Sequence, residues 1–339
     1  MSTPATSVLT IGTFDGVHIG HQSLVRRARE VADRQPGARV VALVFKPNPV
    51  EILRPEAAPP RLSTFEQRRA WIVAAGADEV VRLEPTRELL SETPEGFVRF
   101  CVERFNPIAI VEGDDFRFGR ARAGNVGVLA ELGRRFNFAA VVVPTVSVSL
   151  MDHQYVHARS TVVRWLLEGG RVRDAAIVLS RPYELAGTVV AGDRRGRTIG
   201  FPTANLDVPT MIPADGVYAA RAELPDGRSL AAAVSIGTKP TFGANARAVE
   251  AFVLRPGARD RSWVPLDGLP EYGWTLRLHM LAWVREQVKF LSLPPLLDQM
   301  DRDCTRCGEI LRAEADRPSI PSDGRIVTAT ARPSEDALA

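Results

Sequence analysis

The sequence predicts an α/β domain built on a doubly wound parallel sheet, followed by a small antiparallel β-barrel. Three observations lead there. The first half alternates short Val- and Ile-rich runs with helical segments, as a parallel sheet covered by helices on both faces requires. Beyond Tyr183 the runs are strand-like and succeed one another with turn signals between them, as in a closed or nearly closed barrel. A length of 339 residues suits two folded units of roughly 100–200 residues each.

In chain order, residues 8–12, 40–45, 79–83, 108–112 and 139–143 read as buried parallel strands, because they are short and rich in Val and Ile. Between them, 21–33, 65–75, 94–105 and 126–136 read as helices. The third has Thr93 in capping position and Pro94 in its first turn, where a threonine oxygen takes an orphan N–H and a proline forfeits no hydrogen bond. Helical segments at 161–168, closed by Gly169-Gly170, and at 174–179 end the first domain, set at 1–180. The second domain, 181–315, takes strands at 185–190, 216–224, 228–236, 248–254 and 275–284, with Pro225-Asp226-Gly227 as a hairpin turn and a capping helix at 294–303. The Pro-, Ser- and Asp-rich tail, 316–339, is expected to be disordered.

With 45% hydrophobic and 24% charged residues the composition is that of a globular protein. The formal charge of +3 is small and its basic residues are scattered, so neither nucleic acid nor a membrane surface is expected as a partner; small anions are. The first residues lack a basic region, and no apolar run reaches the ~18 residues of a membrane span, so the expected location is cytoplasmic. Lys46, Lys239 and Lys289 are the only lysines and none precedes Ser or Thr, which excludes a Walker A loop. Cys101, Cys304 and Cys307 fit a reducing compartment; Cys304 and Cys307 lack the second pair that zinc would require, and read as structural.

Two motifs carry chemistry. After the first strand, Gly12-Thr13-Phe14-Asp15-Gly16-Val17-His18-Ile19-Gly20-His21 opens the first helix. Gly20 lets a nucleotide approach the backbone, and the helix N-terminus offers unpaired N–H groups and positive dipole to phosphate. This is the HxGH signature of nucleotidylyltransferases; the alternative is a pair of exposed helix-start histidines. An attacking phosphate already carries close to two negative charges near neutral pH, so the site needs charge stabilisation at the α-phosphorus rather than a base. His18 and His21 are the candidates for it, with Gly12, Phe14, Asp15 and Gly20 binding nucleotide. Far down the chain, Ser160, Thr161 and Arg164 offer hydroxyls and a guanidinium to phosphate, unless they form an ordinary helix cap with a surface arginine.

The second motif runs from Gly192 to Leu206. Gly192, Gly196 and Gly200 permit close backbone approach to phosphates, and Thr203 and Asn205 supply the hard oxygens that Mg²⁺ prefers. Transfer of a phosphoryl group to a hydroxyl benefits from a base. Glu250, charged within an apolar strand, fits that role at a barrel mouth; the alternative is an outward-facing glutamate on a half-exposed strand.

Together with Gly113-Asp114-Asp115-Phe116-Arg117-Phe118-Gly119, Arg181-Pro182-Tyr183, Ser235-Ile236-Gly237 and Pro240-Thr241-Phe242, these motifs occur in an order that resembles the prokaryotic bifunctional riboflavin kinase/FAD synthetase family over residues 8–303. The resemblance implies an N-terminal FMN adenylyltransferase with a Rossmann-like nucleotidylyltransferase fold and a C-terminal riboflavin kinase barrel, acting on riboflavin, FMN and ATP with Mg²⁺ and yielding FAD. It places Asp115 among the nucleotide-binding residues, Thr203 and Asn205 as Mg²⁺ ligands, and Glu250 as catalytic base. The chain departs from the family at Asn48, where a histidine is usual; at Arg159, where a serine is usual; and at Ser180, where a glycine is usual. Residues 256–271 are also longer than the family's link. Two further readings are carried: a riboflavin kinase whose adenylyltransferase half is weakened or lost, and a non-catalytic flavin-binding regulatory protein.

Overall fold

The computed structural model describes residues 6–192, 196, 199–238, 247–254, 266 and 268–315. Parts of the glycine-rich run (193–195, 197–198), Pro240-Thr241-Phe242, most of the 256–271 link and the 316–339 tail lie outside the described residues. The chain divides into two compact units, one taking the chain to Pro59 with Ser63–Ser160, the other Pro60–Leu62 and the described residues from Thr161 on.

The first unit is built on five parallel strands, β1 (Ser7–Gly12), β2 (Arg39–Phe45), β3 (Glu79–Leu83), β4 (Pro107–Gly113) and β5 (Ala139–Val143), in the order β3-β2-β1-β4-β5. Alternate residues feed opposite faces. Val8, Val40, Ala42 and Val111 meet Val25 and Ala28 of α1 (Ile19–Ala32) and Ile72 of α3 (Phe65–Ala74); α2 (Pro49–Leu53) lies between those two helices in sequence. On the other face Leu9, Ile11, Leu43 and Ile110 meet Phe97 and Val98 of α5 (Pro94–Phe105) and Leu129 and Leu132 of α6 (Val126–Phe136); α4 (Arg87–Ser91) precedes them. The fold is therefore doubly wound, as expected. Thr93 caps α5, accepting from the Gly96 N–H at 3.0 Å, and Asn106 ends it in the left-handed region at φ 45°. A short hairpin, β6 (Ser147–Ser149) and β7 (Tyr155–His157), completes the unit. The order of strands reverses between β1 and β4, the topological position at which open α/β sheets bind ligands.

The second unit is a closed barrel in the order β10-β11-β12-β9-β8-β13. Its strands are β8 (Tyr183–Val190), β9 (Ala204–Asp207), β10 (Gly216–Glu223), β11 (Ser229–Thr238), β12 (Arg247–Val253) and β13 (Thr275–Arg285). Alternation drives closure: along β8 Tyr183, Leu185, Gly187 and Val189 are buried and the residues between them are not. Two helices precede the barrel, α7 (Ser160–Glu168) and α8 (Val172–Leu179), and α8 packs on β8 and β13. Contacts group both with the barrel, whereas the sequence reading set them at the end of the first domain. Ser180 caps α8 in the left-handed conformation, φ 57°. The final helix, α9 (Leu293–Ala315), extends twelve residues past the expected end at 303. Cys307 and Ile310 explain the extension, since they pack against Ala219, Leu281 and Ala282 on the outside of the barrel, and Asp303 is held by Arg285 at 2.7 Å. Burial pushes the Cys307 thiol up to about 12, in keeping with a packing role.

Candidate active sites

In the first unit the chain leaves β1 at Gly12 and turns through left-handed conformations at Phe14 (φ 50°), Gly16 (φ 78°) and Val17 (φ 39°) before entering α1. Such a path is strained for Phe and Val, and buried contacts hold it. Both side chains are fully buried. Arg68, which the sequence reading did not single out, is itself buried and donates from Nη1 to the carbonyls of Thr13 at 2.6 Å and Phe45 at 3.2 Å. Asp15 accepts from the N–H and hydroxyl of Ser63 at 3.1 and 3.0 Å, and its own carbonyl accepts from the Ser160 hydroxyl at 2.7 Å.

This bracing places two imidazoles side by side at the start of α1. His18 is the N-cap, its Nδ1 accepting from the His21 N–H at 3.4 Å, so in the neutral ring the proton sits on Nε2. The rings of His18 and His21 stack at 3.7 Å, with Phe14 tilted against His21 at 5.0 Å. A side chain at position 20 would bring a Cβ within 3.1 Å of His18 Nδ1 and 3.2 Å of the Ala158 carbonyl, so glycine lets the segment before α7 lie against the helix start.

A cavity of about 260 Å³ opens there, at the carboxyl ends of β1, β4 and β5, bounded among others by Gly12, His18, His21, Gly113, Asp115 and Ser160. Gly20 and Phe14 also line it. Asp15, expected to bind nucleotide, is not among the lining residues, and its carboxylate accepts from Ser63. Thr161 and Arg164 are likewise not among the lining residues: Thr161 is exposed, and the buried Arg164 donates from Nε to the Pro60 carbonyl at 2.7 Å. Glu112 was missed. It is 2% exposed, accepts the Ile11 N–H at 2.6 Å and lines the cavity, and burial, followed by the nearby Asp115 charge, raises its carboxyl well above the ordinary carboxylate range.

In the second unit, the loop expected between β8 and β10 contains a strand. Ala204–Asp207 forms β9, pairing with β8 on one side and β12 on the other. Register then brings the expected residues together, for Asn205 lies directly opposite Glu250, and Glu250 directly opposite Ser235. Leu206, Val249, Ala251, Val234 and Ile236 point into the core, so Asn205, Glu250 and Ser235 form a row on the outer wall of the barrel. This corrects the expectation of a barrel mouth: Glu250 is half-buried, mid-strand and outward-facing. Gln287 donates to the Ser235 hydroxyl at 3.0 Å, and Thr203 immediately precedes β9.

The glycines of this run serve the loop itself. A side chain at Gly192 would overlap the Asn205 amide, and one at Gly196 would overlap the Phe201 carbonyl; Gly200 adopts φ 82°. The buried Asn205 Oδ1 has no hydrogen-bond partner among the described residues. A buried amide oxygen left unpaired is costly, and a hard cation would satisfy it, so the donor set fits Mg²⁺.

Comparison with known proteins covers both units. Residues 1–154 match the FAD synthetase family model and 179–311 the riboflavin kinase model. A bifunctional riboflavin kinase/FMN adenylyltransferase of Escherichia coli K12 is 31% identical over 87% of this chain and 90% of its own length. The chain belongs to the bifunctional riboflavin kinase/FMN adenylyltransferase family. It is an enzyme of both kinds, phosphorylating riboflavin to FMN with ATP and adenylylating FMN to FAD. The Bacillus subtilis member is 29% identical over 88% of this chain and 90% of its own. A crystal structure from Streptococcus pneumoniae described as a macrolide-efflux protein matches with TM-score 0.76 and 28% identity, over 91% of this chain and 95% of that one. No described helix of this family member is long and apolar enough to cross a membrane.

One of the positions at which this bifunctional riboflavin kinase/FMN adenylyltransferase departs from the motifs it resembles has a local explanation. Asn48 caps α2, its side chain accepting from the Val50 N–H while the Glu51 carboxylate accepts from the Asn48 backbone N–H at 3.0 Å. Ser180 takes the left-handed cap conformation that glycine adopts without strain. Arg159 lines the cavity and pairs with Asp115 at 3.1 Å.

Proposed function

We propose that the two reactions are divided between the two units, with FMN adenylylated in the cavity beneath His18 and His21 and riboflavin phosphorylated at the Asn205–Glu250 row. The observation that carries the first assignment is the stacked histidine pair at a helix N-terminus opening onto that cavity. The FMN phosphate needs no base, and the imidazoles with the α1 N–H groups stabilise charge on the α-phosphoryl oxygens as the pyrophosphate departs. Gly12, Phe14, Gly20, Asp115 and Ser160 shape the nucleotide pocket.

In the second unit, Glu250 accepts the proton of the riboflavin 5′-hydroxyl as the hydroxyl oxygen bonds to the γ-phosphorus of ATP, while the bond from that phosphorus to the β,γ-bridging oxygen breaks and its electron pair leaves on ADP. Register supports this by setting Glu250 beside Asn205. Thr203 and Asn205 would hold Mg²⁺, which when bound neutralises charge on the ATP phosphates. The substrates are small molecules: riboflavin, FMN and ATP.

Purified protein given riboflavin, ATP and Mg²⁺ is expected to accumulate FMN and then FAD, as followed by separating the flavins over time. His21→Ala should cut FAD formation by about 100-fold or more while sparing FMN formation, and Glu250→Gln should do the reverse. Equal loss of both activities from either change would refute the division.

A further inference from the structure

Resting on the assignment of adenylyl transfer to this cavity, we propose that Arg159 binds the polyphosphate of ATP there and stabilises the departing pyrophosphate. Of the described residues lining the cavity, Arg159 is the one with a permanent positive charge, in a lining that also contains Glu112, Asp114 and Asp115. A guanidinium stays charged across the working pH range and offers paired N–H donors matched to the oxygens of a polyphosphate.

The backbone at Arg159 is fixed on both sides. The Ala158 N–H donates to the Val146 carbonyl at 2.8 Å, and the Ser160 hydroxyl donates to the Asp15 carbonyl at 2.7 Å. The Ala158 carbonyl lies 3.2 Å from where a Cβ on Gly20 would stand, so the root of Arg159 is set beside the start of α1. Its head group is not so constrained. Nη2 lies 3.1 Å from Asp115 Oδ2 with both side chains half exposed, a pair of small net strength that a polyphosphate can displace.

The chemistry places the charge where such a group is needed. A phosphate oxygen of FMN forms a bond to the α-phosphorus of ATP, the bond from that phosphorus to the β-bridging oxygen breaks, and its electron pair leaves on pyrophosphate. No proton moves and total charge is unchanged, but it shifts toward the leaving group. By the motif resemblance, Arg159 stands where a serine hydroxyl is usual, which would put a cation in place of a neutral donor.

The test uses the full-length protein with Arg159→Gln, Arg159→Ser and Arg159→Lys, measuring FMN-to-FAD turnover against ATP, inhibition by added pyrophosphate, and riboflavin phosphorylation in the same preparations. Gln and Ser should raise the KM for ATP and the pyrophosphate inhibition constant by tenfold or more, with Lys intermediate and the kinase rate unchanged. The KM for ATP should also rise less steeply with added salt in Gln than in wild type. ATP affinity, pyrophosphate inhibition and salt dependence within twofold of wild type in both Gln and Ser would overturn the role of Arg159 while His21→Ala still abolished FAD formation. If FAD formation survived His21→Ala as well, the cavity assignment itself would fall. A Gln variant that also loses kinase activity is misfolded, and the Ser variant, carrying the family's own residue, then decides by the same readouts.

Discussion

Glu112→Gln isolates one proton in the lining of the cavity beside His18 and His21. The replacement keeps the shape and the Oε1 acceptor that the Ile11 N–H uses at 2.6 Å, and removes only titration. Burial and then the Asp115 charge raise the Glu112 carboxyl, outweighing the Ile11 hydrogen bond, which acts the other way. In the unfolded chain a glutamate titrates near about 4.3. Below that value both states hold the proton and the stability it contributes is fully present. Above it the unfolded chain releases the proton while the folded one keeps it, so stability falls by up to about 1.4 kcal/mol per pH unit until the raised folded value is passed. The Glu112→Gln variant has no such slope, and a constant offset from its amide N–H₂ would not create one. Hydrogen-exchange protection of the β1 and β4 amides, corrected for intrinsic exchange and followed from pH 5 to 8, should therefore diverge, with wild type losing protection relative to the variant. Parallel profiles would show that Glu112 ionises as freely in the fold as outside it.

Other perturbations act at single positions. Gly192→Ala should force the Asn205 amide out of its place opposite Glu250 and lower riboflavin phosphorylation by tenfold or more without changing FMN adenylylation; equal initial rates to wild type in both assays would remove Asn205 from the site. Ser180→Gly should stabilise the protein by up to about 1 kcal/mol, as relief of the left-handed strain exceeds the added freedom of the unfolded chain, and a lower thermal midpoint would contradict this.

Much of the fold was legible because its strands announce themselves. Val40 to Val44 is an unbroken apolar run buried in the sheet, and Thr93-Pro94 marks a helix start by chemistry that depends on no distant contact. The histidine motif was legible for the same reason, lying between a strand and a helix as its chemistry demands. What escaped was decided by partners far away in sequence. Ala204-Asn205-Leu206-Asp207 contains one well-buried residue and becomes a strand through ladders on both sides. Glu112 looked like the polar end of a strand, and the signal available was a glutamate directly after Ile-Val and before the Gly113 turn. The length of α9 could have been read, since Asp303, Cys307 and Ile310 fall at helical spacing and all three are buried.

The four residues of β9 are the clasp of the barrel. Among the described residues they join β8 to β12, through three paired positions on each flank, and one of those positions on each side is Asn205. Unzipping β9 would split the cylinder along its length and part the amide from the carboxylate at the same moment. On the proposed assignment of the kinase site, cylinder integrity and phosphoryl transfer form a single equilibrium, and whatever bridges that amide and carboxylate also acts as a rivet for the wall.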